Sequence, residues 1–262
     1  MSADRRLGGK VALVTGASSG NGRAIALRFA REGAAVVCVD VREEPDPRGG
    51  EQGAPTHEEV AAAGGRAAFV QCDVTDGEQV RAAVELAVRS FGRLDIAVAN
   101  AGINPAIHDL VDEPWAQYEQ TVAVNQHGVW WTCKEAARQL VEQGEGGRII
   151  AIASVAGLVG SATGVAYNSS KGAVLQLVRT LALQLAPHDV TVNAICPGWV
   201  RTAMTRETQS DPGLLARALA LHPLGRLGEP TDVAGAAFFF ASADAGWVTG
   251  VALPVDGGYT AV

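Results

Sequence analysis

Seven short apolar runs, at residues 11–15, 35–40, 68–72, 94–99, 148–153, 190–195 and 251–255, recur along the 262-residue chain with helical stretches between them. Within each run the apolar residues are continuous rather than alternating. Strands written this way are covered on both faces, as in a parallel sheet whose crossovers are helices. The clearest helical patterns cover 22–32, 77–91, 115–141 and 167–185, and another, 231–242, follows a proline and opens with Thr231-Asp232, a good start signal. Seven strands with helical crossovers describe an α/β chain: a single doubly wound domain over residues 1–262 with a seven-stranded parallel sheet. A chain of this length can bury roughly 70–75% of its unfolded surface in one core.

The regular alternation is interrupted at 41–56, VREEPDPRGGEQGAPT. Proline, glycine and charge dominate it, so it reads as an exposed loop inserted after the second strand, beside the adenosine end of any dinucleotide bound there. The net charge of −7 argues against a nucleic-acid partner, which calls for a basic face. Cys38, Cys72, Cys133 and Cys196 form no C-x-x-C pair, so they read as buried reduced thiols rather than as a zinc or redox motif. The first ten residues have no apolar signal-peptide core, and no apolar run reaches the 18 residues of a membrane span. A cytoplasmic location with no membrane partner is the resulting expectation.

The first strand runs into Gly16-Ala17-Ser18-Ser19-Gly20-Asn21-Gly22 and then into a helix. Glycines at such a turn let the backbone approach a pyrophosphate, and the helix beyond offers unpaired N–H groups and the positive end of its dipole. Strand before and helix after give the glycine pattern its weight. Eighteen residues past Gly22 the second strand ends in Asp40. A carboxylate there can accept both adenosine ribose hydroxyls and repels a 2′-phosphate, which favours NAD(H) over NADP(H). Arg42 follows closely and is read as a loop charge, with a swing towards a phosphate as the alternative.

A second constellation lies further on. Tyr167-Asn168-Ser169-Ser170-Lys171 places Tyr167 and Lys171 at i, i+4, on one face of a helix. An unperturbed tyrosine, with a pKa of about 10, is a weak base at neutral pH, and a nearby ammonium lowers that value. The pair alone is a common one.

The spacing T-G-x-x-x-G-x-G from Thr15 to Gly22, together with Asn100-Ala101-Gly102, Tyr167-x-x-x-Lys171, Pro197-Gly198-Trp199-Val200-Arg201-Thr202 and Val255-Asp256-Gly257-Gly258, resembles the classical short-chain dehydrogenase/reductase family over residues 8–260. The resemblance implies a Rossmann-type fold and an NAD-dependent enzyme interconverting a secondary alcohol and a ketone. It implies catalytic roles for Asn125, Ser154, Tyr167 and Lys171. Tyr167 transfers the proton, Lys171 lowers its pKa and grips the nicotinamide ribose, Ser154 holds the substrate oxygen, and Asn125 holds a water in a relay to Lys171. Asp73 and Val74 are implied at the adenine and Asn100, Ala101 and Gly102 beside the cofactor. Pro197, Gly198, Val200 and Thr202 are implied at the nicotinamide carboxamide and phosphates. Two departures stand out: Asn21 where the family has Ile or Leu, and the long loop after Asp40. The family also implies a homotetramer, or a homodimer, and Trp130-Trp131 on the long helix is compatible with such an interface or with plain core packing.

Substrate is expected against the segments 103–111, 155–163 and 199–222, with Ser154, Leu158, Trp199 and Met204 among the lining residues and 199–222 as a lid. No Arg or Lys cluster appears there, which favours a neutral, moderately apolar alcohol or ketone. His108, His127, His188 and His222 share no ligand spacing, so no metal site is expected. Two other readings remain: an NADPH-dependent 3-oxoacyl-carrier-protein reductase, opposed by Asp40 and by a serine rather than a basic residue at Ser19, and a dinucleotide-binding sensor without turnover, opposed by the retained Tyr167 and Lys171.

Overall fold

The computed structural model describes residues 6–49, 53–105, 108–161 and 164–261. Seven strands, β1 (Val11–Thr15), β2 (Ala35–Asp40), β3 (Arg66–Gln71), β4 (Ile96–Ala99), β5 (Gly147–Ile152), β6 (Val190–Pro197) and β7 (Ala252–Val255), form one sheet in the order β3-β2-β1-β4-β5-β6-β7. Every pairing is parallel. The chain leaves β1 in one direction towards β3 and returns to β4 on the other side, so the order reverses between β1 and β4. A crevice opens at the carboxyl ends of the strands at such a reversal, and that is where these sheets bind ligands.

The double-sided covering inferred from the continuous apolar runs is visible residue by residue. Val11, Leu13, Val37 and Val39 face a core completed by Val80, Val84, Cys133 and Leu140. Those four come from α3 (Gly77–Phe91) and α5 (Gly128–Gln143), and α6 (Val165–Leu185) contributes to the same layer through Val174 and Val178. The intervening residues Ala12, Val14, Val36 and Cys38 face a second core closed by α1 (Gly20–Arg31) and α9 (Pro230–Ala241). The two sheet edges differ from the centre. β3 is only partly buried, with both end residues exposed, and lies two residues earlier at its start than the expected 68–72.

Three departures from the expected elements bear on function. The 115–141 helix is interrupted: α4 (Trp115–Val122) passes into a π-helical turn, Ala123–His127, before α5 begins. The 41–56 loop is not wholly exposed. Pro45 and Asp46 are buried, a 3-10 turn forms at Pro47–Gly49, and Thr56 opens α2 (Thr56–Ala62). Finally, 199–222 contains α7 (Arg206–Ser210) and α8 (Pro212–Ala220). Asp211 caps α8 by accepting from Gly213 and Leu214 N–H, with Pro212 in its first turn, the pairing of cap and proline that starts helices. Residues 50–52, 106–107 and 162–163, which belong to the loop and to two of the expected substrate segments, lie outside the described residues.

Candidate active site

The glycine-rich turn is built so that only hydrogen fits at its ends. A Cβ on Gly22 would stand 2.0 Å from the Gly16 carbonyl oxygen and 2.5 Å from Asn100 Nδ2, and Gly16 itself has φ +65°. Asn100 fixes this turn by donating from Nδ2 to the carbonyls of Thr15 (2.8 Å) and Gly16 (3.2 Å). Thr15, a residue not singled out from the sequence, ties the exits of β1 and β4 together. Its hydroxyl donates to Val98 O and accepts from the N–H groups of Asn100 (2.9 Å) and Ala101 (3.1 Å). The TG that opens the motif was the available signal.

Helix α1 starts at Gly20, two residues before the expected start. Ser19 stands at its N-cap without a side-chain capping bond, and no acidic residue occupies the first turn. Its Oγ instead accepts from Asp46 N–H at 2.7 Å. At the end of β2 the Asp40 carboxylate accepts from Ser18 N–H (3.0 Å) and lies 3.4 Å from Arg42 N. Each carboxylate oxygen retains further acceptor capacity. Across the crevice, a Cβ on Gly20 would be 3.1 Å from Thr202 Cγ2, so Thr202 overhangs the glycine-rich turn. Pro197 ends β6, Gly198 N–H donates to Val255 O (3.1 Å), and Val200 is buried. Val74 packs beneath Gly128. Asp73 is exposed, its Oδ1 accepting from Thr75 N and Oγ1. These contacts suit a dinucleotide: a backbone cradle closed to any Cβ, a helix start free of acidic side chains, and a carboxylate at the adjoining strand end.

The four proposed catalytic residues converge at the carboxyl ends of β4 and β5. The π turn places Asn125, fully buried, with Oδ1 accepting from Ile103 N–H (2.8 Å) and Nδ2 donating to Ile103 O (2.8 Å) and Ser170 Oγ (3.4 Å). Single π turns of this kind recur at functional sites. Gly102 is the spacer between Asn125 and Lys171. A Cβ there would be 3.2 Å from Asn125 Oδ1 and 3.5 Å from Lys171 Nζ. Ser154 lies at the end of the β5 segment, 8% exposed, with Oγ accepting from Ala156 N–H (3.1 Å) and hydrogen-bonded to the Tyr167 phenol.

Burial holds Tyr167 above its ordinary pKa, and the neighbouring Ser154 hydroxyl acts the other way. The Lys171 ammonium lies over the Tyr167 ring, 5.7 Å from its centre, and donates to Ile152 O at 2.9 Å. Burial in turn lowers Lys171 from 10.5 to about 8, so its proton is exchangeable near neutral pH.

The substrate side is mixed. A shallow hollow beside Tyr167 is walled by Asn104, Pro105, Glu113, Gln117 and Thr121, more polar than the apolar lining expected. Met204 is half exposed, Trp199 is partly buried, and Leu158 packs on the core. His222 is 3% exposed. Its Nδ1 meets Ala218 O at 2.6 Å, and its Nε2 lies 3.3 Å from Trp199 N, pinning the end of α8 to the 197–202 turn. The described residues contain no cluster of His, Cys, Asp and Glu able to hold a metal ion, and no helix long and apolar enough to cross a membrane. All four cysteines are free and buried.

Known proteins resemble the chain along nearly its whole length. A short-chain dehydrogenase family model, described as enoyl-(acyl carrier protein) reductase, matches residues 16–260. An L-rhamnose 1-dehydrogenase (NAD(P)(+)) of Azotobacter vinelandii is 42% identical over 249 residues, 95% of this chain and 96% of that protein. A 2-(R)-hydroxypropyl-CoM dehydrogenase of Xanthobacter autotrophicus is 40% identical over 97% of this chain and 99% of its own. The crystal structure of a short-chain type dehydrogenase/reductase from Mycobacterium marinum superposes with a TM-score of 0.90 at 36% identity, covering 99% of this chain and 98% of that one. With the family model spanning the glycine-rich turn through the C-terminal strand, the chain belongs to the short-chain dehydrogenase/reductase family and is an oxidoreductase acting on a CH–OH group.

Proposed function

We propose that the chain interconverts a secondary alcohol and a ketone with NAD(H), using Tyr167 as the proton-transfer residue. The observation that carries this reading is the Lys171 ammonium over the Tyr167 ring, 5.7 Å from its centre, with Asn125 and Lys171 meeting across Gly102. During reduction Tyr167 gives its phenolic proton to the carbonyl oxygen; during oxidation it takes the alcohol proton. Ser154 holds the same oxygen and polarises it. Lys171, with its pKa near 8, holds the ribose and assists proton exchange. Asn125 fixes Ile103 and, through it, the floor of the substrate side.

Gly16, Ser18, Ser19, Gly20, Asn21 and Gly22 would hold the phosphates, Asp40 the adenosine ribose, and Asp73 and Val74 the adenine. Asn100, Ala101, Gly102, Pro197, Gly198, Val200 and Thr202 would line the nicotinamide half. Bound there, the cofactor supplies or accepts the hydride. Asp40 supports NAD over NADP, whereas the Azotobacter relative's name includes both. The whole chain works as one catalytic domain, with 199–222 covering the substrate. A cytoplasmic setting accords with four buried free thiols. Trp115 on α4 and Trp130 on α5, both exposed, support assembly into a homotetramer or homodimer.

A second reading of the substrate is favoured by the hollow beside Tyr167, where Asn104 and Glu113 offer polar partners to hydroxyls such as a sugar or polyol carries. Titration with NADH and NADPH, followed by turnover assays on simple secondary alcohols, their ketones and aldoses, tests both. Tighter binding of NADPH than NADH by the native protein overturns the NAD assignment, and turnover confined to aldoses replaces the first substrate reading by the second.

A further inference from the structure

The insertion after β2 carries a charge arrangement that the catalytic reading does not use. Asp46 is only 7% exposed, although it sits in a stretch dominated by proline, glycine and charge. Its N–H donates to Ser19 Oγ at 2.7 Å, which seats it against the glycine-rich turn. Its carboxylate accepts from Arg48 Nε (3.0 Å) and Nη2 (2.7 Å) and lies 3.5 Å from Arg42 Nη1. The Arg48 hydrogen bond holds Asp46 down at about 2, so the carboxylate is charged at any ordinary pH.

Arg42 is the residue of interest. It stands two positions past Asp40, its carbonyl accepts from Ser18 Oγ at 2.7 Å, and its N–H points at the Asp40 carboxylate. Its backbone is therefore fixed beside the group expected to face the adenosine ribose. A guanidinium in that neighbourhood has the fork geometry that pairs with a phosphate ester. Here it faces an internal anion instead.

We infer that Asp46 is a specificity-determining residue: by holding Arg42 in an ion pair beside the adenosine ribose, it withholds that guanidinium from a 2′-phosphate. Selection against the phosphorylated dinucleotide then has two sources, repulsion by Asp40 and sequestration of the nearest cation by Asp46. Specificity achieved by denying the competitor its partner is as effective as an added contact to the favoured ligand. The inference rests on the reading that residues 16–22 and Asp40 hold a dinucleotide.

The test measures dissociation constants of NADH and NADPH for the native protein and for Asp46→Asn, Arg42→Ala and the double variant. Asparagine keeps the size and the backbone N–H to Ser19 while deleting the charge. Asp46→Asn is expected to tighten NADPH about tenfold, the worth of one hydrogen bond to a charged group, and to leave NADH within about twofold. Adding Arg42→Ala removes the gain, and Arg42→Ala alone changes neither constant. The inference falls if Asp46→Asn leaves the NADPH constant unchanged, or weakens both dinucleotides together as a merely structural residue would. It falls equally if Arg42→Ala alone weakens NADPH, because the guanidinium is then not sequestered. A native protein that binds neither dinucleotide overturns the site reading itself and the inference with it. Binding by the native protein with an unmoved ratio in Asp46→Asn overturns the inference alone.

Discussion

Replacing Tyr167 by phenylalanine removes one oxygen from the site and little else. In the folded protein that oxygen is hydrogen-bonded to Ser154, and Ser154 Oγ keeps its bond from Ala156 N–H when the phenol is lost. No buried donor or acceptor is orphaned, so the stability cost is one net hydrogen bond, about 1 kcal/mol, or roughly 2–4 °C in Tm for a chain near this size. Dinucleotide binding is expected within about twofold of native, since the glycine-rich turn and Asp40 are untouched. Turnover is expected to fall about 10²–10⁴-fold, the contribution of a positioned acid/base, which corresponds to roughly 3–5 kcal/mol of transition-state stabilisation. The assay is steady-state kinetics in both directions, with a binding isotherm and a melting curve for each protein. Ultraviolet difference titration between the two cofactor-free proteins adds an independent readout. Burial raises Tyr167, so the missing phenol titrates above the ordinary tyrosine value. A folded, dinucleotide-binding Tyr167→Phe protein with near-native turnover would refute the assignment of proton transfer to Tyr167. A phenol that titrates below the ordinary value would refute the account of its surroundings.

Gly22→Ala places a methyl 2.0 Å from the Gly16 carbonyl; the turn must open, and NADH binding measured by calorimetry is expected to drop at least about tenfold, an unchanged isotherm counting against the cradle. Lys171 has a folded-state pKa of about 8 against 10.5 for the free side chain, so the unfolded chain binds the extra proton between those values and the stability of the native protein rises with pH there. Relative to Lys171→Met, denaturant titrations from pH 8 to 10.5 should gain on the order of 3 kcal/mol, and a flat difference contradicts the buried ammonium. Burial lifts Cys38, Cys72 and Cys133 to about 12 and Cys196 to about 11, so at pH 8 all four are protonated as well as inaccessible. Iodoacetamide followed by mass spectrometry should leave the native protein unlabelled and mark four thiols after denaturation, and rapid labelling of the native protein would exclude this burial.

What the sequence made legible was governed by the strongest local rules. The β1 and β2 boundaries and the whole of α3 fall where apolar continuity and the Asp76-to-Gly92 caps place them. The glycine-rich turn, Asp40 and the Tyr167–Lys171 pair were nameable from spacing, and Asn125 and Ser154 from the family resemblance; in the fold Asn125 and Lys171 meet across Gly102. The misses have specific causes. The π turn has no signature in residue type, because Ala123–His127 continues the helical composition on either side. The 41–56 segment looked exposed because its composition is that of loops. Its buried stretch is held by non-local bonds, Asp46 to Ser19 and Thr56 Oγ1 to Ala17 O, and composition carries no record of these. Arg23, buried and bonded to Thr56, Ala54 and Glu59, belongs to the same clasp and was equally unreadable. Sequence likewise gives the Tyr–Lys spacing and not the carbonyl of Ile152 that takes the ammonium.

The π turn between α4 and α5 also limits how this gene can vary in length. An α-helix advances about 100° per residue, and the turn holds one residue more than regular winding requires. A single-codon deletion within 123–127 would let the helix wind regularly and would gain better backbone geometry locally. Because regular winding does not need that residue, α4 and α5 would keep their seats and Val129, Cys133, Ala136 and Leu140 would stay on the face they now bury; what would change is the aim of the side chains inside the turn, Asn125 among them. The extra residue is a shim that aims Asn125 at Ile103 while leaving α5 seated on the sheet. A one-residue deletion here is therefore expected to spare the fold and cost the site, since it undoes the Asn125–Ile103 contact while leaving the packing of α5 in place.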